Sequence, residues 1–302
     1  MIDINALPAP KVVEPLDYET LFSQRKAALL ARQTDPERAK ALAATLALES
    51  EPLTILLQES AYREVLLRQR INDASLAGML AYATGADLDH RAAEYGVARL
   101  IVQPADPLAD PPRPAVMESD DRLRYRTQLA LEGFSTAGPV GSYVYHALSA
   151  SAAVADVAID SPSPGQVRVT VLDSGPSGIP AASQLDTVTA ALNAETVRPL
   201  CDTVLVEAAT VTAYTVVAQL YVTNRPESAP APAAARAKLD AYLAARRKLG
   251  ADVPLSGLYA ALHQPGIVRV VIQSPSADIL TTPRQAALCT AITLTTVNTD
   301  EI

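Results

Sequence analysis

A cluster of prolines divides this chain into two parts with different hydrophobic periods. Pro104, Pro107, Pro111, Pro112 and Pro114 all fall within residues 101–118. Proline fixes φ and donates no backbone hydrogen bond, so no regular helix or central strand runs through such a stretch. Before it, apolar residues recur at helical spacing; beyond it, they alternate as strands do. The fold class read from this is α+β. An N-terminal helical bundle-forming region leads, through a Pro-rich linker, into two small duplicated α+β modules with mixed strands. The boundaries are an extended N-terminal arm over 1–16, the helical region over 17–100 and a semi-rigid, extended linker over 101–118. A first module with a leading helix then covers 119–208, and a second covers 209–302.

The helical part begins with Leu16, Leu21, Phe22, Leu29 and Leu30 at helical spacing. Thr34-Asp35-Pro36-Glu37 reads as a helix start, with a hydroxyl cap, Pro in the first turn and Glu three positions on. After Pro52, the residues Leu53, Leu57, Ala61 and Val65 recur every fourth position, and Leu56 and Leu66 widen the stripe. Gly85 is expected to close that helix, and Asp87 to cap a short one ending near Gly96. Such a stripe suits a bundle within one chain or between chains, and periodicity does not separate the two.

Ser119-Asp120-Asp121 caps a helix carrying Leu123, Leu129 and Leu131. Strands are expected at 154–159, 167–172, 203–206, 211–223, 268–273 and 288–297, with helices at 181–194, 233–249 and 255–262. A short pattern occurs twice. Tyr145-His146-Ala147-Leu148 and Tyr259-Ala260-Ala261-Leu262 each follow a glycine, Gly141 and Gly257. Each precedes an apolar strand and then a Ser-Pro-Ser turn, at Ser161 and at Ser274. Two copies of a helix–strand unit account for this.

Charge narrows the function classes. The formal net charge is −8, whereas a nucleic-acid grip needs a basic face to displace counterions. No nucleic-acid partner is expected. No run of about 18 apolar residues is available to span a bilayer, and Met1-Ile2-Asp3-Ile4-Asn5 lacks the basic start of a signal peptide. A soluble chain with no membrane partner and no secretion address is the expectation. Cys201 and Cys289 lie too far apart in sequence for a metal motif and read as free, buried thiols.

Catalysis needs tuned groups held together in a pocket, and the candidates are few. His90, His146 and His263 are the only histidines; they read as core or surface residues. The pairs Asp87/Asp89, Asp120/Asp121 and Glu49/Glu51 contain the carboxylates a glycoside hydrolase would use. All three sit at helix starts or breaks, where acids satisfy orphan N–H groups and the helix dipole. Capping is the better reading. No enzyme activity, no cofactor and no metal are expected.

Two segments then carry a resemblance. One is Gly85-Ala86-Asp87-Leu88-Asp89, running to Tyr95-Gly96-Val97-Ala98-Arg99. The other is Glu118-Ser119-Asp120-Asp121-Arg122-Leu123-Arg124-Tyr125-Arg126, running to Ser135-Thr136-Ala137-Gly138-Pro139-Val140-Gly141. Their order, on either side of a Pro-rich stretch, resembles the baseplate J-like family of contractile tails. Leu7-Pro8-Ala9-Pro10 and Leu48-Glu49-Ser50-Glu51-Pro52-Leu53 are similar to its P2-type branch.

The resemblance implies a structural wedge component of a phage or R-type bacteriocin baseplate, linking wedges into a ring around the tail hub and transmitting the contraction trigger. It implies a heterotrimer of two copies with a smaller tail protein, joined through the helical region. Neighbouring wedges, a small lysozyme-like baseplate protein, the hub and, indirectly, tail fibres would be further partners. The location implied is the tail baseplate, with synthesis and assembly in the host cytoplasm. Leu53, Leu57 and Val65 are the expected bundle contacts. Asp87, Leu88, Asp89, Arg122, Arg124 and Arg126 are the expected junction contacts, or else supports within the chain. The alternatives are a tail-associated cell-wall hydrolase and a receptor-binding adhesin. Aromatics at 4% of the chain are sparse for a sugar-gripping tip.

Overall fold

The structure, a computed structural model, describes residues 4, 7–8, 10–135 and 138–299. The arm residues 1–3, 5, 6 and 9, and Thr136 and Ala137 of the second motif, lie outside the described residues, as do 300–302. The chain divides into two compact units, Met1–Ala98 and Arg99–Ile302.

The first unit is helical. Helix α1 spans Tyr18–Leu30, α2 spans Pro36–Leu46, α3 spans Pro52–Ala77 and α4 spans Gly85–Ala93. Asp17 caps α1 by accepting from the Thr20 N–H at 2.8 Å. Asp35, not Thr34, caps α2: its carboxylate accepts from the N–H groups of Glu37 and Arg38, with Pro36 in the first turn. A carboxylate at the N-terminus also meets the helix dipole, which a hydroxyl does not. Helix α3 ends at Gly78, earlier than expected. Gly85, expected to close it, has φ +53° and opens α4. Thr84 holds the cap position there, so Asp87 lies in the first turn. Gly96, at φ +71°, closes the short helix, and the Val97 N–H reaches back to the Ala92 carbonyl.

The second unit starts with a correction. The stretch expected to be an extended linker folds back on itself: β1 (Ile101–Gln103) pairs antiparallel with β2 (Val116–Met117), and Asp106 bridges Arg113. The prolines sit in the loop and at its margins, where no ladder donor is lost. Helix α5 (Asp120–Gly133) packs on α6 (Val140–Ala150), and then come β3 (Val154–Asp160), β4 (Gln166–Asp173), α7 (Ala182–Leu192) and β5 (Thr203–Ala208). Ala209 alone separates β5 from β6 (Thr210–Thr223). A 3-10 turn at Pro226–Ser228 leads to α8 (Ala231–Arg246), α9 (Leu255–Leu262), β7 (Ile267–Ser274) and β8 (Gln285–Thr299).

Each sheet has three strands. The first runs β3-β4-β5, with β3/β4 antiparallel and β4/β5 parallel; the second runs β7-β6-β8, with β6/β7 antiparallel and β6/β8 parallel. In both, a helix leads into an edge strand antiparallel to the central one: α6 into β3, and α9 into β7. The central strand with its helix follows that pair in the first sheet and precedes it in the second, so the chain order differs while the strand arrangement agrees. The two glycines of the short sequence pattern sit at close helix approaches. A Cβ at Gly141 would meet Glu132 Cγ at 2.9 Å, and one at Gly257 would meet Tyr242 Oη at 2.1 Å.

Each sheet carries its own core. Val154, Val169 and Val171 pack with Ala147, Leu148, Val188 and Leu192 in the first; Val216, Leu220, Leu239, Leu258 and Leu262 pack together in the second. Between the sheets lies a small cluster of Leu172, Ala209 and Ala286. Two polar ties flank it. The Asp156 carboxylate accepts from the Leu249 N–H at 2.9 Å, and the Arg247 guanidinium donates to the carbonyls of Asp173 and Gly175.

Candidate functional site

Helix α3 has 26 residues and so runs about 39 Å. Among its described residues the buried ones are Thr54, Ala61 and Asn72; none carries a large apolar side chain. Leu53, Leu57 and Val65, the expected bundle contacts, are half-buried. The exposed surface carries large apolar side chains among charged ones such as Glu59, Arg63 and Arg70. Ile55, Tyr62 and Leu66 form one stripe, and Leu56, Leu67 and Ile71 another; all six are 50–64% exposed. The sequence stripe was visible, but apolar residues fall on several sides of α3, interleaved with charged ones, so periodicity did not say which side faces in.

The N-terminal arm lies along the same helix. The Asn72 amide, buried, accepts from the Glu14 N–H at 3.1 Å and donates to the Glu14 carbonyl at 2.8 Å. An amide side chain thus pairs with main chain as a neighbouring strand would. Arg68 bonds Glu14 and Glu64, and Arg25 bonds Glu64 and Ser60. The Arg25 and Arg68 guanidiniums hold the Glu64 carboxyl below its ordinary range. Beside this network is a groove of about 780 Å³ lined by Val12, Arg63, Leu67 and Ile71, among others.

At the α4 turn, Asp87 and Asp89 are exposed, whereas Leu88 is fully buried. Leu88 is therefore a core residue of the first unit.

The three arginines of α5 are likewise drawn inward. Glu118, its side chain wholly buried, accepts from Arg122 at 3.1 Å, Arg126 at 2.8 Å and the Leu100 N–H at 3.0 Å. The Arg122 guanidinium also donates to the carbonyls of Leu148, Ser151 and Ala152, which lie at the end of α6. There the cation neutralises the orphan carbonyls and the negative dipole end. Burial pushes the Arg122 guanidinium down from its ordinary range. Arg124 is 6% exposed and bonds Asp121, while Arg99 bonds Asp120. Arg122 and Arg126 thus form with Glu118 an internal polar cluster of the second unit, and Arg124 is buried as well. Glu118 was not singled out from the sequence: it lies before the cap residue Ser119, so helical spacing to Arg122 and Arg126 does not reveal the contact.

The carboxylate pairs are dispersed over these roles. Asp120 and Asp121 are engaged with arginines at the start of α5, and Glu51 stands at the α3 cap position without a side-chain cap bond. His146 bonds the Gly133 carbonyl at 3.3 Å, and burial holds its imidazole below the ordinary range. Cys201 is exposed and Cys289 is intermediate, which corrects the expectation of two buried thiols. Among the described residues no group of three or more His, Cys, Asp or Glu is placed to hold a metal, and no helix is long and apolar enough to cross a membrane. What the geometry assembles is a set of surfaces, chief among them the outward face of α3.

Comparison with known proteins agrees over the whole length. Three family models match in order: the baseplate J-like N-terminal domain over 49–106, the central domain over 135–208 and the C-terminal domain over 214–295. Baseplate protein J of Escherichia phage P2 is 48% identical over 301 residues, which cover 100% of this chain and 99% of that protein. The chain belongs to the baseplate J-like family of phage-tail baseplate proteins.

Proposed function

We propose that this chain is a structural wedge subunit of a contractile-tail baseplate, joined to its partners through α3 and to its neighbours through the α+β unit. The observation that carries this is the outward face of α3. A helix of this length that buries no large apolar side chain lacks the packing that stabilises helices in water. Ile55, Tyr62, Leu66, Leu56, Leu67 and Ile71 match the seam of a helical bundle completed by other chains. Two copies with one smaller tail protein would cover both stripes, with Leu53, Leu57 and Val65 holding the inner side. In this reading Asp87 and Asp89 line the rim of the junction, and Arg122, Arg124 and Arg126 stiffen the second unit from within.

The wedges would close into a ring around the hub, and rearrangement of their contacts would pass on the contraction trigger. A small lysozyme-like baseplate protein and tail fibres would attach to that ring, with assembly in the host cytoplasm of a phage-infected or bacteriocin-producing cell. No catalytic step is part of the role.

The test is co-expression with the neighbouring tail genes, followed by size-exclusion chromatography with light scattering. A complex with two copies of this chain per smaller partner is expected. A chain that elutes alone beside every tail neighbour would overturn the reading.

A further inference from the structure

A small polar cleft lies at the junction of the two sheets. Its volume is about 150 Å³. It is lined by Thr170 on β4, Glu207 on β5 and Thr210 on β6, and by Thr282, Arg284 and Gln285 where β8 begins. Alternate residues of a strand share a face, so β4 presents Arg168, Thr170 and Leu172 in turn. Leu172 meets Ala209 and Ala286 in the apolar cluster between the sheets. Arg168 is taken by Asp160 through two hydrogen bonds. Thr170, between them, is the register partner of Glu207. It is 1% exposed, and its hydroxyl has no hydrogen-bond partner. A buried polar group in that state is costly until something bonds it. Glu207 and Arg284 stand exposed at the cleft, and among the described residues no ion pair joins them. The ties through Asp156 and Arg247 fix the two sheets in this orientation, so the cleft is preformed.

We propose that this cleft is a binding site for a primary carboxamide, borne on a glutamine or asparagine side chain of another protein or on a small free amide. The lining selects that chemistry. The Arg284 guanidinium only donates, the Glu207 carboxylate only accepts, and the Thr170 hydroxyl lacks a partner. An occupant therefore needs an acceptor on one side and a donor on the other. Net charge is selected against, because an anion meets Glu207 and a cation meets Arg284. A carboxamide has both functions and no charge: its carbonyl accepts from Arg284 and Thr170, and its NH₂ donates to Glu207. Size agrees. At ~30 Å³ per water the cleft has room for about five waters, well below the ~300–1,000 Å³ of a pocket for a larger ligand. It takes one small polar group, which displaces water by reproducing its hydrogen bonds. Every lining residue lies in the second unit of one chain, so the site stands apart from the wedge reading.

The test titrates the full chain, with isotopically labelled threonine methyl groups, against three probes of similar shape: propionamide, propionate and propylammonium. Propionamide is expected to shift the Thr170, Thr210 and Thr282 methyl signals saturably. The two charged probes should bind about tenfold or more weakly, the loss of one hydrogen bond to a charged group. Thr170→Val keeps the β-branched shape and removes the hydroxyl; it should abolish the shifts at Thr210 and Thr282 while the melt is unchanged. Glu207→Gln, at an exposed position, leaves the fold alone and should raise propionate binding relative to propionamide. No saturable shift with propionamide, which leaves water as the occupant, would overturn the proposal. So would an equal response to all three probes, shifts that survive Thr170→Val, or an unchanged preference in Glu207→Gln. The same titration in complex with the tail neighbours separates the two sources, and either result supports the site. A Thr170 signal already at its propionamide-bound position, and unmoved by the probe, identifies a side chain of a partner. A complex that still takes up propionamide identifies a free amide.

Discussion

The helical unit and the α+β unit place their apolar side chains differently. In the second unit the helices and sheets enclose Leu123, Leu172, Leu192, Leu220, Leu239, Leu258 and Leu262, each at most 1% exposed, and the exposed large side chains are scattered over many elements. In the first, Leu21, Phe22, Leu46, Leu88 and Val97 are buried beside Ala61, Ala83 and Ala92, while the longest helix, α3, presents six large side chains to its surroundings. Burying a leucine stabilises by roughly 1.5–3 kcal/mol, so the second unit supplies its own stability and the first leaves much of that contribution unused. Completeness of the core, more than secondary structure, separates the two units.

The comparison can be broken most forcefully at Glu118. Glu118→Ala strips the buried Arg126 of its carboxylate, and losing one partner of a buried pair costs about 3–5 kcal/mol. Urea denaturation of the full chain should show the loss in the transition of the second unit. An unchanged midpoint would mean that Glu118 does not hold that core together. Leu239→Ala, at 0% exposure, should cost about 2–5 kcal/mol in the same transition.

The counterpart in the helical unit is the pair Ile55→Ser and Leu66→Ser. Exposed positions move stability by about 0.5 kcal/mol or less, so the melt should stay while co-elution with the tail partner is lost. Destabilisation equal to that of Leu239→Ala would show that the stripe already packs within the chain. Asn72→Ala removes two hydrogen bonds to Glu14, each contributing about 0.5–1.5 kcal/mol. Amide exchange over 11–16 should quicken while the second unit is unaffected.

Acid should move the two units in opposite directions, by the smallest amounts. Glu64 is held below its ordinary 4.5 by Arg25 and Arg68. Its contribution is therefore present above that value and lost as pH falls through the folded-state value. Asp156 is raised above 3.8 by burial. Its charged form is disfavoured in the folded state, so that cost is relieved as pH falls through the raised value. Asp156→Asn should flatten this rise in the second unit, and Glu64→Gln the fall in the first, in denaturation midpoints taken across the acid range.

Much of this architecture was legible in the residues. The α+β class, the positions of the six strands after residue 150 to within a few residues and the long helix after Pro52 all follow from local period and punctuation. Three things did not. Which side of α3 faces inward was hidden because leucine and isoleucine fall on several sides of it, interleaved with charged residues. The hairpin at 101–117 was hidden because prolines at its loop mask two very short strands. Strand order was hidden because β4/β5 and β6/β8 are parallel pairs between segments far apart in sequence, and local pattern carries no record of such pairing.

The tie at Asp156 has a consequence for how the chain tolerates change. Two sheets joined through Ala209 alone would swivel about that residue, and the Asp156 and Arg247 bonds, set away from it, resist the twist. At Leu249 the donor is a main-chain N–H, which every residue but proline supplies. The torsional hold therefore depends strictly on the side chain at 156 and hardly at all on the side chain at 249, so drift at the second position leaves the two sheets locked in the same orientation.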